Sequence, residues 1–201
     1  MTQIAIIDYG VGNLRSVMRG LEKAGARVQI TCSPEEIAAA DGLVLPGVGA
    51  FREAMDKLGT LQGTVVSATK SVPLLGICLG MQMLMETSEE HGLHPGLGLI
   101  PGHVKHFKKV PGFKIPHMGW NSLSLEKPDN PLLAGIRQDE SFYFVHSYYA
   151  DTAPEFTLTS TGYICPFASA VFHGNAYGVQ FHPEKSGAAG LRMLENFIGM
   201  I

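Results

Sequence analysis

Residues 72–86 read VPLLGICLGMQMLME. Val72 to Ile77 is an apolar run of strand length, and the residues after Cys78 continue in helix formers. The spacing predicts a buried strand, a sharp turn at Cys78 and a helix reaching towards Glu86. Gly76, Cys78 and Gly80 form G-x-C-x-G, the thiol counterpart of a nucleophile elbow: the glycines let strand and helix approach closely while the central side chain is thrust out of the turn. A helix beginning just after the thiol aims its free N–H groups and positive dipole end at the sulfur, which favours the thiolate. A cysteine in an apolar run can equally be a small packed core residue. A base elsewhere in the chain would decide between the two.

Upstream, strands and helices alternate. Gln3 to Asp8 reads as a strand, followed by the loop Tyr9-Gly10-Val11-Gly12-Asn13 and a helix carrying Leu14, Val17, Met18 and Leu21. Gly10 and Gly12 invite a dinucleotide-binding reading. Arg15 occupies the third glycine position, however, and the second strand, Arg27 to Thr31, ends without an acidic residue to hold a ribose. Ser33-Pro34 starts a helix over Glu35 to Ala39. Gly42 to Leu45 is a third strand, and it ends in Pro46-Gly47-Val48-Gly49, either a plain tight turn or a loop that turns backbone N–H groups towards a ligand. Helical patterns follow over Ala50 to Lys57 and Leu61 to Thr69.

From Gly96 the texture changes to short alternating runs, His103 to Phe107, Ser141 to Tyr149, Thr157 to Ser160 and Ser169 to Phe172. A hairpin turn at His173 to Ala176 delivers Tyr177 to Phe181, and Ala188 to Ile198 is a closing helix. The expected fold class is α/β: a doubly wound, mainly parallel sheet in the N-terminal half with an antiparallel extension in the C-terminal half, in one domain over residues 1–201.

Composition narrows the function. The 201 residues include 15 basic and 18 acidic side chains, a net charge of −3 that leaves no electrostatic footprint for nucleic acid. No apolar stretch reaches the roughly 20 residues of a membrane span, and no targeting signal is read at the start. Three cysteines, Cys32, Cys78 and Cys165, at wide spacing fit a reducing compartment, so a cytoplasmic protein is expected. His91 with His94 and His103 with His106 have H-x-x-H spacing but lack an H-E-x-x-H pattern or a cysteine companion. They are read as solvated, with no metal and no cofactor.

The base is in Phe181-His182-Pro183-Glu184. Proline pushes His182 into an extended conformation, and in an extended chain residues two apart project to one side, about 6.6 Å apart along the backbone. Glu184 can then hold the imidazole tautomer while His182 takes a proton from a nucleophile. An exposed, functionless histidine is the alternative, but it leaves both the glutamate and the elbow cysteine unexplained.

Cys78 in GICLGMQ together with His182 and Glu184 in QFHPEKS resembles the class I, or triad, glutamine amidotransferases, over the whole chain. DYGVGN at 8–13, PGVGAF at 46–51, PHMGWN at 116–121 and YFVHSYY at 143–149 are similar to the glutaminase subunits of imidazole glycerol phosphate synthases. The resemblance implies a glutaminase with Cys78 as nucleophile, His182 as general base and acid and Glu184 as its orienter. It also implies an oxyanion hole at the Leu79 N–H with Gly47, Val48 and Gly49, and glutamine recognition at Gln82, His146, Ser147 and Tyr148. The implied partner is a (βα)8 barrel cyclase that takes up the ammonia for imidazole ring formation in histidine biosynthesis. Candidate contacts to it are Gly12, Asn13, Pro116, Met118, Trp120 and Lys185, Trp120 being either an aromatic anchor there or a core residue. Another triad amidotransferase, a stand-alone gamma-glutamyl hydrolase and a non-catalytic binding module on the same fold are the alternatives at this stage.

Overall fold

The computed structural model describes residues 2–201. Its first half alternates β1 (Gln3–Ile7), α1 (Leu14–Lys23), β2 (Arg27–Thr31), α2 (Pro34–Ala39), β3 (Gly42–Gly47), α3 (Phe51–Leu58), α4 (Leu61–Ala68), β4 (Leu74–Cys78) and α5 (Leu79–Met83). The start of α2 follows its sequence signal. The Ser33 hydroxyl accepts the Glu36 N–H at 3.3 Å, and Pro34 fills the first helical position, where no N–H is needed.

The second half supplies β5 (Met85–Ser88), β6 (His94–Pro95), β7 (Ile100–His106), β8 (His117–Ser122), β9 (Ser124–Leu125), β10 (Ser141–His146), β11 (Tyr148–Asp151), β12 (Thr157–Gly162), β13 (Pro166–His173), β14 (Ala176–Val179) and α6 (Gly187–Gly199). The main sheet runs β2-β1-β3-β4-β14-β13-β11-β7-β5-β6, with β12 and β9 attached beside β13, and β8 pairs with β10 in a separate ribbon. Pairing is parallel from β2 across to β14 and antiparallel from β14 through β13 and β11 to β7.

Both faces of the parallel half are covered, as such a sheet requires. Ile4 and Ile6 of β1, with Val44, Leu75 and Ile77, meet Val17 and Leu21 of α1 and Leu194 and Phe197 of α6. The alternate residues Ala5 and Ile7, with Leu43, Leu45 and Leu74, meet Phe51 and Leu58 of α3 and Val65 of α4. Among the described residues no helix is long and apolar enough to cross a membrane.

Three expectations are corrected. The elbow helix stops at Met83, and Met85–Ser88 is instead a strand parallel to β7. Every residue of α5 is buried, so this apolar run had no polar face from which a period could be read. Ser141 to Tyr149 is two strands, broken at Ser147 where the chain passes from the β8 ribbon to the main sheet. Finally, β14 ends at Val179, two residues short of Phe181. The preceding hairpin is as expected, with His173 opposite Ala176 and Gly174 at φ +56° in the two-residue turn.

Candidate active site

The C-terminal ends of β3, β4 and β14 lie side by side, with Gly47 opposite Cys78 and Val179 opposite Ile77. Cys78 sits between β4 and α5 at φ 56°, ψ −109°, a conformation that costs an L-residue about 1–3 kcal/mol. The neighbouring glycines make it possible. A Cβ on Gly80 would stand 1.8 Å from the Leu45 carbonyl oxygen, and one on Gly76 would stand 2.8 Å from the Gly80 carbonyl group. Both clashes are with backbone, which cannot swing away as a side chain can. Gly47 is held to glycine by the same packing, since its Cβ would meet the Gly80 nitrogen at 2.8 Å. With five residues, α5 has a smaller dipole to offer the sulfur than the longer helix that was expected.

His182 follows β14 in extended conformation, φ −103°, ψ 95°, as the next proline demands. Glu184 does not continue that extension. It lies in a 3-10 turn over Pro183–Lys185, and the turn brings its Oε1 to 2.9 Å from His182 Nδ1. Ser186 ties the turn down: its hydroxyl donates to the His182 carbonyl at 2.6 Å and accepts the Tyr143 N–H at 3.0 Å. The imidazole and carboxylate side chains are only 4% and 1% exposed. A carboxylate accepts, so the Nδ1 proton faces Glu184 and Nε2 is left over.

That Nε2 is buried without a hydrogen-bond partner. Burial disfavours the imidazolium, but the neighbouring Cys78 sulfur and the Glu184 carboxylate outweigh it and raise His182 to about 9.

Cys78 and His182 open into a cleft of about 410 Å³, a size suited to a small metabolite. Val48, Gly49, Leu79, Gln82, His146, Ser147 and Tyr148 also line it, so the structure brings these expected residues together, while Gly47 packs behind them against α5. A second cavity of about 460 Å³ beside Tyr149 and Phe167 has no cysteine or histidine in its lining.

Gln82 and His146 offer less than their residue types suggest. The Gln82 Nε2 donates to the Tyr148 carbonyl at 3.1 Å and to Gln180 Oε1 at 3.0 Å, which leaves its own Oε1 for a ligand. Both ring nitrogens of His146 are engaged, Nδ1 with the Tyr148 carbonyl at 2.8 Å and Nε2 with His117 Nδ1 at 2.9 Å. Burial lowers His146 to about 3 and His117 to about 4, so both are neutral.

The sequence reading missed Gln180, Glu90 and Tyr9. Gln180 Nε2 lies 3.7 Å from Cys78 Sγ. Its signal was its place one residue beyond the strand end that faces the elbow. Glu90 lines the cleft and accepts the Phe51 N–H at 2.6 Å, with no local pattern to mark it. Tyr9 donates to the Pro46 carbonyl at 2.6 Å and so anchors the base of the 46–49 loop.

Of the expected partner contacts, Met118 and Trp120 are 63% and 59% exposed. Trp120 is therefore not a core residue. Its ring meets Tyr143 edge-on at 6.2 Å, and Lys185 reaches over the same Tyr143 from 5.9 Å. Pro116 lines the cleft itself, Gly12 lies against Pro46, and Asn13 is exposed at the start of α1. Among the described residues no group of three or more His, Cys, Asp or Glu side chains is placed to hold a metal ion. His94 departs from the solvated reading, since its Nε2 is buried and unpartnered.

The model of the family described as glutamine amidotransferase class-I matches residues 5–200. The chain belongs to this family. This amidotransferase is 53% identical over 203 residues to the imidazole glycerol phosphate synthase subunit HisH of Methanosarcina barkeri, with all of both chains covered. It is 48% identical over 198 residues to the HisH subunit of Archaeoglobus fulgidus, with 98% of each covered. Among solved structures, PurLQS from Thermotoga maritima shares the amidotransferase's fold at a TM-score of 0.76 and 17% identity, over 99% of this chain and 98% of that one.

Proposed function

We propose that the chain is the glutaminase subunit of an imidazole glycerol phosphate synthase, a single amidotransferase unit over residues 1–201 that hydrolyses glutamine and passes ammonia to a (βα)8 barrel cyclase. Similarity along the full length to HisH subunits supports the substrate and the partner. The observation that carries the chemistry is the unpartnered, buried His182 Nε2 beside an elbow cysteine, with Glu184 holding the opposite nitrogen.

In this reading the glutamine ammonium lies against Gln82 Oε1 and the Glu90 carboxylate, and its carboxylate takes backbone N–H groups at Ser147 and Tyr148. The side-chain amide then meets Cys78. His182 holds the thiol proton as an imidazolium, and the anionic sulfur attacks the amide carbon. The resulting oxyanion is held by the Leu79 N–H and by N–H groups of the Gly47 to Gly49 loop. Collapse expels ammonia with the proton returned from Nε2 and leaves a thioester. Water, deprotonated by the same nitrogen, releases glutamate and restores the thiol. Glu184 keeps Nε2 facing the reaction throughout.

The face bearing Met118, Trp120, Lys185, Pro116, Gly12 and Asn13 docks the cyclase, so that ammonia leaves into the partner rather than into water, where it would be protonated. Three free cysteines support work in the cytoplasm.

The test is Cys78→Ala in the complex with the cyclase. Ring synthesis from glutamine is expected to vanish while synthesis from ammonium salts persists. Glutamine turnover by the variant would overturn the reading.

A further inference from the structure

The orientation of the polar side chains beneath the cleft is set by one group that can only accept, the Tyr148 carbonyl. The atom of Gln82 at 3.1 Å from it must therefore be the amide nitrogen. That nitrogen spends its second hydrogen on Gln180, 3.0 Å away, so Gln180 must turn its oxygen to Gln82. Its own nitrogen then has to face the other way, and there it stands 3.7 Å from Cys78 Sγ.

The sheet explains the meeting. Val179 of β14 is in register with Ile77 of β4, so the next residue along each strand, Gln180 and Cys78, come together. Gln180 is fully buried, and its backbone N–H is held by the Ser169 carbonyl at 2.9 Å.

We propose that Gln180 is a further catalytic residue, the side-chain donor that stabilises and aims the anionic sulfur of Cys78. Besides the His182 ring, the sulfur also meets the Val145 carbonyl at 3.9 Å. A carbonyl suits a thiol, which can donate to it, and repels a thiolate. Gln180 does the opposite. It adds a side-chain N–H where the short elbow helix brings only a small dipole, and Gln82 is the positioning residue that keeps it facing the sulfur.

The proposal rests on Cys78 being the nucleophile, and two substitutions separate the possibilities. Gln180→Glu keeps the length and the oxygen facing Gln82 but removes the amide donor from the sulfur. Gln180→Met is neutral, of similar length and has no donor. Alkylation of Cys78 by iodoacetamide, followed by peptide mass spectrometry across pH in a Cys32→Ser, Cys165→Ser background, reads the sulfur without needing turnover. Both variants are expected to alkylate about tenfold more slowly at neutral pH, with the profile displaced about one unit towards alkaline. In the complex with the cyclase, Gln180→Glu should lose about tenfold or more in kcat with KM changed less than threefold.

A wild-type alkylation profile in Gln180→Met would overturn the proposal, even if the buried carboxylate kept Gln180→Glu from folding. So would a normal Gln180→Glu beside a defective Gln180→Met, because Gln180 would then serve only to hold Gln82. A wild-type complex inert towards glutamine would overturn the nucleophile reading instead, leaving the alkylation profiles to judge Gln180 separately.

Discussion

A methyl group on Gly80 would sit 1.8 Å from a strand carbonyl oxygen that has no room to retreat, so Gly80→Ala is expected to cost about 3 kcal/mol or more and to lower the urea midpoint accordingly. At the base, His182→Ala should reduce glutamine turnover by about 10²- to 10⁴-fold, whereas Glu184→Gln, whose amide oxygen can still accept from Nδ1, should lose about tenfold in a steady-state assay. Trp120→Ala removes an exposed ring. It should therefore weaken cyclase binding about tenfold in titration calorimetry while moving the melting temperature by no more than about 2 °C. Residues inside a local pattern were legible from sequence: the elbow glycines by their spacing, His182 by its proline, Glu184 by its distance from the histidine. Gln180 and Glu90 were not, since what defines them is a neighbour across the sheet or cleft. That both ring nitrogens of His146 are already engaged was not legible either, because its partner His117 lies on a strand that no alternation had revealed.

The Pro46 to Gly49 loop is the element on which control should turn. Its first two residues close β3 rather than starting a loop, Tyr9 holds the Pro46 carbonyl, and Val48 beyond the strand is 45% accessible at the cleft. Gly49, at φ +100°, turns the chain sharply after Val48, and Gly47 leaves the peptide that carries the Val48 N–H without a Cβ on its preceding side. A missing oxyanion donor is worth about 10²- to 10³-fold in rate, enough to keep the chain idle until the loaded cyclase binds. Val48→Pro, which has no N–H, is expected to abolish the rise in kcat on adding cyclase and a nucleotide-like acceptor, and Val48→Ala to preserve it. Full induction in Val48→Pro would exclude this loop as the switch. Element positions were readable wherever one face is apolar and the other wet, as in α1 and α2. They failed at α5, buried all round, at β5, which continues the apolar run of α5 with only Leu84 between them, and at β8, whose partner β10 lies some twenty residues on.

Across the whole molecule, the buried histidines set opposing pH limits. His182, raised from 6.5 to about 9, contributes stability that is complete below pH 6.5 and lost as pH climbs through 9. His117 and His146, lowered to about 4 and 3, contribute stability that is complete above pH 6.5 and lost as pH falls towards those values. The melting temperature should therefore peak near pH 6.5, and in Cys78→Ala, which removes a charge that raises His182, the alkaline decline should flatten. The parallel pairing of β4 with β14 also has a consequence for how the protein is born. At translation speeds of about 5–20 residues per second, Cys78 leaves the ribosome roughly 5–20 seconds before His182. Throughout that interval the nascent chain carries a thiol with no base, and one side of β4 waits for a strand not yet made. A glutaminase so arranged cannot act on the cell's glutamine during its own synthesis, but its half-made sheet presents an open edge that must be shielded from other chains until residue 176 arrives.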